Sequence, residues 1–378
     1  MLLEFSVAVF SSIGEKQTLT FNAFRGQRIK GTKYEDNYIT SKFREAKSAV
    51  LFGGNAVGKT NLLFAARACI DVIKTGALIE NKRLFNYNKD FMSFDISLSI
   101  GEREYVYSLS FDRSGQVVTE ELVIDEESVY QYKNNILTSS FLEAKIREIY
   151  SIPSTSTLLS KIKDFIPEIY RAFRSEIDNI VIVMDDGINF DVKKLPFLVP
   201  ESTKKIIEAN LVLAVKILSQ VDRTITSIKF LQQSTVTEEG EAQFDIAIVR
   251  KVGTEERDCS SAYESKGIKR ILCLLGFLID VCKGKTLLVD ELDASISTRS
   301  LLLLYNNIIN ASSNHRGQLI VTSHNLGLFD IDIFAPEQIF IANKNENLET
   351  IVHSLADFSI RKDKKRLVIE YLQGRFEV

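Results

Sequence analysis

The spacing of hydrophobic positions changes several times along the chain and predicts alternating β and α segments. Residues 2–10 and 18–21 alternate between apolar and polar positions, which is typical of a pair of strands. Residues 48–52 form a short apolar strand that leads into a glycine-rich turn. Residues 59–74 then repeat apolar side chains at helical spacing. The first part of the chain is therefore predicted to contain three strands followed by a helix.

A period of two returns between residues 94 and 132, where short alternating runs are separated by turns, and this predicts an antiparallel meander. Residues 141–219 are mostly helical in pattern, but residues 179–192 are interpreted as a hairpin that turns at Asp186-Gly187. The remaining predicted elements are strands at 226–231 and 244–252, a helix at 268–281, a strand at 286–290, a helix at 298–311, and strands at 318–322 and 338–342.

Both ends of the chain alternate between strands and helices, with β-rich and helical material between them. This order predicts an α/β fold in which one nucleotide-binding core is split by insertions. We expect residues 1–140 to form the first half of the core together with the meander. Residues 141–222 are expected to form a mostly helical insertion, and residues 223–378 the second half of the core.

Residues 53–60 read GGNAVGKT and match the pattern G-x-x-x-x-G-K-[ST] between a predicted strand and a predicted helix. Glycines such as Gly53 and Gly58 let backbone N–H groups curl around a phosphate, and the helix N-terminus adds its positive dipole end. Lys59 is expected to reach the β- and γ-phosphates, and the Thr60 hydroxyl to ligate Mg²⁺. The structural alternative is a glycine-rich turn that contains Lys-Thr by chance, and the flanking strand and helix weigh against it.

The apolar run of residues 286–289 ends in two carboxylates, Asp290 and Glu291. A buried strand that carries Asp290 at its carboxyl end would place it beside the phosphate loop, where it can hold Mg²⁺. Glu291 would then polarise the attacking water as a general base. A second apolar run ends in Asp185-Asp186, but Gly187 and another alternating run follow it, so a hairpin turn is favoured there over a metal site.

Two further positions have both a functional and a structural interpretation. His324, one of three histidines, follows the predicted strand 318–322, from which a neutral imidazole could reach a γ-phosphate oxygen or the attacking water. A polar cap at the strand end is the alternative. Ser265 and Gly267 open the predicted helix 268–281, where Ser265 is suited to be an N-cap and the helix N-terminus could bind a second anion.

Composition and charge narrow the class of protein. The 378 residues are 45% hydrophobic and 26% charged, which is ordinary for a globular chain and excludes a disordered one. A net charge of −3 gives no global attraction to DNA or anionic lipid, although a local basic face is compatible with it. The four cysteines lack CxxC spacing, no signal-peptide pattern opens the chain, and the longest apolar run is too short for a bilayer. We therefore expect a cytoplasmic protein with reduced cysteines and no membrane segment.

In combination, these motifs resemble the ABC-type, SMC-like AAA ATPases of bacterial phage-defence systems, which are related to the ATPase part of overcoming-lysogenisation-defect proteins. The resemblance rests on the opening strand MLLEF, the loop GNAVGKTN with Asn55 and Asn61, ESKGIKR as the signature motif, LVDELDA as Walker B and D-loop, and TSHN as the switch histidine. It covers residues 1–75 and 260–330. It implies a P-loop fold of ABC-ATPase type with a mixed-sheet core.

The resemblance also implies that ATP and Mg²⁺ are bound between two subunits of a homodimer or higher homo-oligomer. Ser265 and Gly267 of one subunit would contact the γ-phosphate bound by the other, and Asp293 would lie across the seam. One strand departs from the family pattern: it reads VFSS where a basic nucleotide contact is usual, so Arg25 or Lys30 is expected to substitute. No Q-loop glutamine is recognised after the first helix.

Two functions are consistent with this resemblance. The first is an ATP-driven switch subunit of an antiphage defence system that controls a separately encoded effector, a nuclease or a toxin. Fewer residues follow His324 than the roughly 100 that a fused TOPRIM-type nuclease would need. The alternative is a DNA-binding ATPase of recombination or repair type that clamps duplex DNA. The basic cluster RKDKKR at residues 361–366 is either a partner or nucleic-acid contact or a solvated helix start.

Overall fold

The computed structural model describes residues 1–24, 26–78, 84–86, 89–184, 198–236, 242–360 and 364–376. Its strands, in chain order, are β1 (Leu2–Ala8), β2 (Gln17–Thr20), β3 (Ser48–Phe52), β4 (Phe91–Ile100), β5 (Arg103–Asp112), β6 (Val117–Ile124), β7 (Glu127–Lys133), β8 (Ile136–Thr138), β9 (Ile180–Val183), β10 (Leu198–Pro200), β11 (Ile225–Val236), β12 (Ala242–Val252), β13 (Glu255–Ser260), β14 (Thr286–Val289), β15 (Gln318–Ser323), β16 (Ile339–Lys344) and β17 (Thr350–Ser354). Its α-helices are α1 (Lys59–Thr75), α2 (Ala144–Tyr150), α3 (Leu158–Ile162), α4 (Pro167–Asp178), α5 (Glu201–Glu208), α6 (Leu211–Leu218), α7 (Lys266–Cys282), α8 (Thr298–Leu304) and α9 (Lys364–Leu372).

The candidate site lies on a six-stranded sheet with the strand order β17-β16-β3-β15-β14-β9. Its strands are parallel except for β17, which pairs antiparallel with β16. Every residue of β3, β14 and β15 is buried, as expected for strands that are covered on both faces. Because these three strands are parallel neighbours, the loops that follow them all leave from the same edge of the sheet.

Alternate residues of the sheet face two hydrophobic cores. Ala49 and Leu51 of β3 pack into a core that they share with α1, α3, α4 and the antiparallel strands. Val50 and Phe52 pack into a second core built with α6, α7 and α8. The central sheet is therefore fixed from both sides, and its strand ends have little freedom to shift.

An antiparallel sheet with the order β2-β1-β4-β5-β6-β7-β8 covers the first core. Glu120 of β6 is fully buried in it, and its carboxylate accepts hydrogen bonds from the hydroxyls of Tyr107 and Tyr130 and from the N–H groups of Leu158 and Leu159. Because both amides belong to the start of α3, this one side chain joins the meander to the helical segment. A third sheet has the order β10-β12-β11, with β13 also paired to β12.

The predicted α/β fold with a mixed core sheet and an antiparallel subdomain is confirmed. The strand predicted at residues 48–52 is β3, the helix predicted at residues 59–74 is α1, and the predicted meander is formed by β4 to β7. None of the helices in the described ranges combines the length and apolar character needed to cross a membrane.

The hairpin predicted at residues 179–192 is wrong in its first arm. Ile180–Val183 is β9, the last strand of the central sheet, and it pairs parallel with β14. A run of four apolar residues suits a hairpin arm and a core strand equally, and only the position of β14 decides between them. The turn at Asp186-Gly187 lies outside the described residues. β9 also falls within residues 141–222, so the segment predicted as an insertion contributes one strand to the core.

Other differences are local. The helix predicted at residues 298–311 leaves α-helical geometry after Leu304 and continues as a π-helical turn, Tyr305–Ile309. β13 and β17 were not predicted, because their charged and short sequences lack a clear apolar alternation. Arg366 of the basic cluster lies in α9 and pairs with Glu370 one turn later, as in the helix-start interpretation.

Candidate functional site

The loop between β3 and α1, residues 53–58, is packed against neighbouring strands at both of its ends, while its tip is exposed. Gly58 has a φ of +104°, and a Cβ atom there would lie 2.0 Å from Oγ1 of Thr350 in β17. A Cβ atom on Gly53 would lie 2.6 Å from the carbonyl oxygen of Ala342 in β16. Only glycine fits either position, so the loop is held against the carboxyl edge of the sheet.

Helix α1 begins at Lys59, directly after this loop. Its N-cap is Gly58, which has no side chain to bond the N–H groups of the first turn, and that turn contains no acidic residue. Such a helix end presents backbone donors and the positive end of the helix dipole to the loop, which suits a bound phosphate. Asn55 is exposed within the loop itself.

The Lys59 ammonium group lies at the centre of this region. Its Nζ donates to the carbonyl oxygens of Gly53 at 3.0 Å and Gly54 at 2.9 Å, and lies 3.0 Å from Nε2 of His324. Burial lowers the pKa of Lys59, while three nearby carboxylates act in the opposite direction. The side chain is thus folded along the loop, within reach of the groups that follow β15.

Asp290, directly after β14, is held by two hydroxyl groups from different parts of the chain. Oδ2 accepts a hydrogen bond from Oγ1 of Thr60 at 2.9 Å, and Oδ1 accepts one from Oγ1 of Thr322 at 2.5 Å. The same Thr322 oxygen accepts a hydrogen bond from the backbone N–H of Glu291 at 2.8 Å. A buried carboxylate is thereby fixed between α1 and β15, and the turn that carries Glu291 is fixed with it.

The Glu291 carboxylate faces the loop that follows β15. Its Oε1 lies 3.6 Å from Nε2 of His324, and the two side chains are 43% and 35% exposed, respectively. His324 therefore lies between Lys59 and Glu291. A polar cap at the strand end, the alternative interpretation, would not require either of these two neighbours. The structure brings these predicted residues together, and their roles in chemistry stay predictions.

Thr60 and Asp290 have the chemistry expected of Mg²⁺ ligands. They offer a hydroxyl and a carboxylate oxygen that lie 2.9 Å apart beside the phosphate loop. Among the described residues, no three His, Cys, Asp or Glu side chains are grouped so as to hold a metal ion by themselves. Mg²⁺ does not need such a cage, because it is commonly held by one or two protein oxygens, waters and the phosphates of a nucleotide. The side chains present therefore fit Mg²⁺ bound together with a triphosphate.

The described contacts of Ser265 and Gly267 do not include the phosphate loop of their own chain. Ser265 is exposed and is the N-cap of α7, accepting a hydrogen bond from the N–H of Ile268 at 3.3 Å. Gly267 is buried, and a Cβ atom there would lie 2.8 Å from the carbonyl oxygen of Ser295. Ser265 is therefore an N-cap, as in the structural interpretation, and the helix N-terminus that it caps is exposed.

Asp293 is half-buried in its own chain. Its Oδ1 is buried without a hydrogen-bond partner among the described residues, and so is the hydroxyl of Tyr305. Burial raises the pKa of Tyr305, and the charge of Asp293 raises it further. The resemblance predicted that Asp293 lies across a subunit seam, and this stays a prediction.

A hydroxyl network occupies the region where a basic residue was expected. Asn61 donates to Oγ of Ser12 at 2.7 Å, and Ser12 Oγ lies 2.6 Å from Oγ1 of Thr350. Thr350 in turn donates to the carbonyl oxygen of Val57 in the phosphate loop at 2.8 Å. The network joins α1, the loop after β1 and β17, and it was not predicted because its members are far apart in the sequence.

Lys30, which was expected to replace the missing basic contact, lies in a segment that packs against the residues before β16. Its neighbours Lys33 and Tyr34 bond Asp332 and the carbonyl oxygen of Ile331, in the segment that leads into the start of β16. The phosphate loop follows the end of β3, which is parallel to β16, so Lys30 belongs to a segment at the opposite edge of the sheet. Arg25 lies outside the described residues.

An open groove of about 780 Å³ adjoins the hydroxyl network. Its walls include Ser11, Ser12 and Asn86 on one side and Lys344 and Leu348 on the other. The groove is mainly polar, and its lining also contains the charged residues Glu15, Lys89 and Glu349.

Comparison with known proteins supports this description of the fold. A family model described as "AAA domain, putative AbiEii toxin, Type IV TA system" matches residues 147–330, which is 184 of the 378 residues. This segment contains Ser265, Asp290, Glu291 and His324 but not the phosphate loop. No curated protein sequence matches the chain.

Several SMC head domains of solved structure resemble the chain. An SMC head bound to the C-terminal winged-helix domain of ScpA is 14% identical, with 96% of this chain and 99% of that chain covered and a TM-score of 0.54. A head domain from Pyrococcus furiosus, bound to the C-terminal domain of ScpA, is 13% identical over 98% and 99% of the two chains, with a TM-score of 0.52. One from Pyrococcus yayanosii is 10% identical over 98% and 99%, with a TM-score of 0.51. The chain therefore has the fold of SMC head domains.

Proposed function

We propose that this chain binds ATP together with Mg²⁺ and hydrolyses it. The proposal rests on one observation: Lys59, Asp290, Glu291 and His324 converge at one edge of a parallel sheet. They lie beside a loop in which two positions accept only glycine. Transfer of a phosphoryl group to water uses groups of this kind. An ammonium group and a helix N-terminus bind the phosphates, one carboxylate holds the metal, and a second carboxylate activates the water.

Each of these residues has a distinct role in the proposal. Lys59 and the N–H groups of residues 53–60 would bind the β- and γ-phosphates. Thr60 and Asp290 would hold Mg²⁺, which neutralises charge on the phosphate oxygens when it is bound. Glu291 would accept the proton of the attacking water, and His324 would hold that water or a γ-phosphate oxygen.

The nucleoside part of the substrate would occupy the groove beside the hydroxyl network. The groove is large enough for a nucleoside and is lined by Ser12, which the hydroxyl of Thr350 connects to the phosphate loop. In place of an arginine or a lysine at this strand, hydroxyl and amide groups would face the ribose and the α-phosphate.

We further propose that two copies of the chain enclose ATP between them. Ser265 is exposed at the N-terminus of a 17-residue helix, and its described contacts do not include the phosphate loop of its own chain. A helix N-terminus with an exposed hydroxyl is suited to a second set of phosphate contacts, which a partner copy would supply. Hydrolysis would then depend on protein concentration.

The biological role that we propose is a switch subunit of an antiphage defence system that controls a separate effector, a nuclease or a toxin. The support is the description of the matched family, which names a toxin and a type IV TA system. Binding of the chain to an effector encoded beside it, in the ATP-bound state and with little dependence on salt, would support this role. ATP hydrolysis that DNA stimulates, with a steep dependence on salt, would instead support the DNA-clamping alternative.

The hydrolysis proposal is tested by two substitutions and a control. Glu291→Gln should reduce turnover by roughly 10²- to 10⁴-fold, the contribution of a general base, while ATP still binds. Lys59→Ala should weaken binding of ATP itself, as measured by calorimetry. Glu102→Gln, on an exposed turn of the meander, should change neither. Near wild-type turnover of the Glu291 variant would show that Glu291 is not the base, and unchanged affinity of the Lys59 variant would overturn the phosphate-loop assignment.

A further inference from the structure

The segment that carries Glu291 has a strained backbone. Within residues 290–295, Glu291 has a φ of +49° and Ser295 a φ of +68°, although neither is glycine. Residues with a side chain avoid this region, and such a conformation persists only where the surrounding structure holds it in place. The contacts of this segment therefore decide where the Glu291 carboxylate points.

Arg270, in the second turn of α7, contacts the first part of the segment. Its side chain is buried, with 3% of the residue exposed. Nη2 donates to the carbonyl oxygen of Asp290 at 3.2 Å and to that of Glu291 at 3.1 Å. One guanidinium nitrogen thus joins the two successive peptide units on either side of the strained residue.

Gly267, one turn earlier on the same helix, contacts the far end of the segment. A Cβ atom at this position would lie 2.8 Å from the carbonyl oxygen of Ser295. The first two turns of α7 are therefore packed against both residues of positive φ. The two contacts differ in kind, because one is a hydrogen bond and the other is a close approach of backbone.

We propose that Arg270 is a positioning residue, which holds residues 290–295 in the conformation that directs Glu291 toward His324. The proposal rests on the proposed hydrolysis of ATP. It adds that the helix whose N-terminus carries Ser265 fixes the geometry of Glu291 within the same subunit. A contact made at Ser265 is thereby connected, over about one and a half helical turns, to the carboxylate that would activate water.

Arg270→Met, with Lys269→Met as the matched control, tests this proposal. Lys269 is the preceding residue of the same helix and is also buried, but its Nζ donates to the carbonyl oxygen of Ala262 and not to the acidic segment. We expect the Arg270 variant to lose about 10- to 100-fold in turnover, the range for hydrogen bonds made by a charged group. Its affinity for ATP should stay within about threefold of wild type, since the phosphate loop is unchanged. The Lys269 variant should keep near wild-type turnover.

Hydrogen exchange of the protein without nucleotide gives a second readout that does not depend on activity. Amides of residues 290–295 should exchange faster in the Arg270 variant and not in the Lys269 variant. Arg270→Lys keeps the positive charge and provides a shorter donor, so it should show a smaller loss of turnover and a smaller change in amide exchange. If Arg270→Met does not fold, the Arg270→Lys variant tests the proposal instead. Unchanged turnover and exchange in the Arg270 variants, or equal effects in the Lys269 variant, would overturn the proposal. If wild-type protein does not hydrolyse ATP, the proposed function fails, while the exchange measurement still tests whether Arg270 holds the segment.

Discussion

Replacing Thr322 by valine removes one oxygen atom on which both acidic residues of the site depend. Thr322 is fully buried in β15, where its hydroxyl donates to Oδ1 of Asp290 at 2.5 Å and accepts from the N–H of Glu291 at 2.8 Å. Valine has nearly the same shape, so packing is retained while an anionic oxygen loses a donor and an amide loses its acceptor. Asp290 keeps its hydrogen bond from Thr60.

The expected cost follows from these two hydrogen bonds. A hydrogen bond to a charged group contributes about 1.5–3 kcal/mol and a neutral one about 0.5–1.5 kcal/mol, so Thr322→Val should lower the free energy of unfolding by roughly 2–4 kcal/mol. Thr322→Ser is the control: it keeps the hydroxyl and removes one buried methyl group, at a cost of about 1 kcal/mol.

Urea unfolding without nucleotide, followed by circular dichroism, measures both variants under the same conditions. Turnover of ATP, measured alongside, should fall further for valine than for serine, because the Glu291 backbone is released only in the valine variant. If the valine variant is as stable as the serine variant, the Thr322 hydroxyl does not hold the acidic turn and the description of the site is wrong.

Three further changes test other parts of the structure. Gly58→Ala should abolish tight ATP binding and lower the melting temperature, since its Cβ would lie 2.0 Å from Oγ1 of Thr350. The control is Gly101→Ala, in an open turn with a φ of +61°, which should lower the free energy of unfolding by only about 1 kcal/mol. Glu120→Gln should lower the free energy of unfolding by about 2–4 kcal/mol, as measured by urea unfolding at neutral pH. The reason is that four groups donate to the buried carboxylate, and the glutamine NH₂ group is itself a donor and cannot accept from them. Tyr305→Phe should leave stability unchanged or raise it by up to about 1 kcal/mol, since its buried hydroxyl has no hydrogen-bond partner in the described structure; a clear loss would contradict that reading.

The parts of the site that could be predicted are those in which a motif is continuous in the sequence. The residues of GGNAVGKT are neighbours in the chain, and an apolar strand before them and a helix after them indicate their conformation. Asp290 and Glu291 could be predicted for the same reason, because an apolar run that stops at two carboxylates indicates a strand end. His324 needed the further assumption that its strand lies beside the other two, and the pairing of β15 with both β3 and β14 bears this out.

The residues that were missed are common amino acids whose role depends on distant partners. Thr322 lies 32 positions from Asp290, and Thr350 lies 338 positions from Ser12. A buried threonine or arginine has no sequence signal that distinguishes a hydrogen bond to a catalytic turn from ordinary packing. The misplaced hairpin at residues 179–192 has the same cause, because the partner strand β14 begins more than 100 residues later.

Thr322 and Arg270 both bond the peptide unit between Asp290 and Glu291 from different parts of the protein, and Arg270 also bonds the following peptide unit. Thr322, on β15, accepts from the N–H of Glu291, while Arg270, on α7, donates to the carbonyl oxygens of Asp290 and Glu291. The turn is therefore fixed only as long as helix and strand keep their relative position. A displacement of α7 along β15 by more than a few tenths of an ångström must either break one set of these hydrogen bonds or move the Glu291 backbone, because hydrogen bonds weaken steeply beyond their usual lengths. Since Glu291 already has a disfavoured backbone conformation, loss of either anchor favours its departure from the position facing His324. The orientation of Glu291 is therefore sensitive to the position of α7, the helix that Ser265 caps.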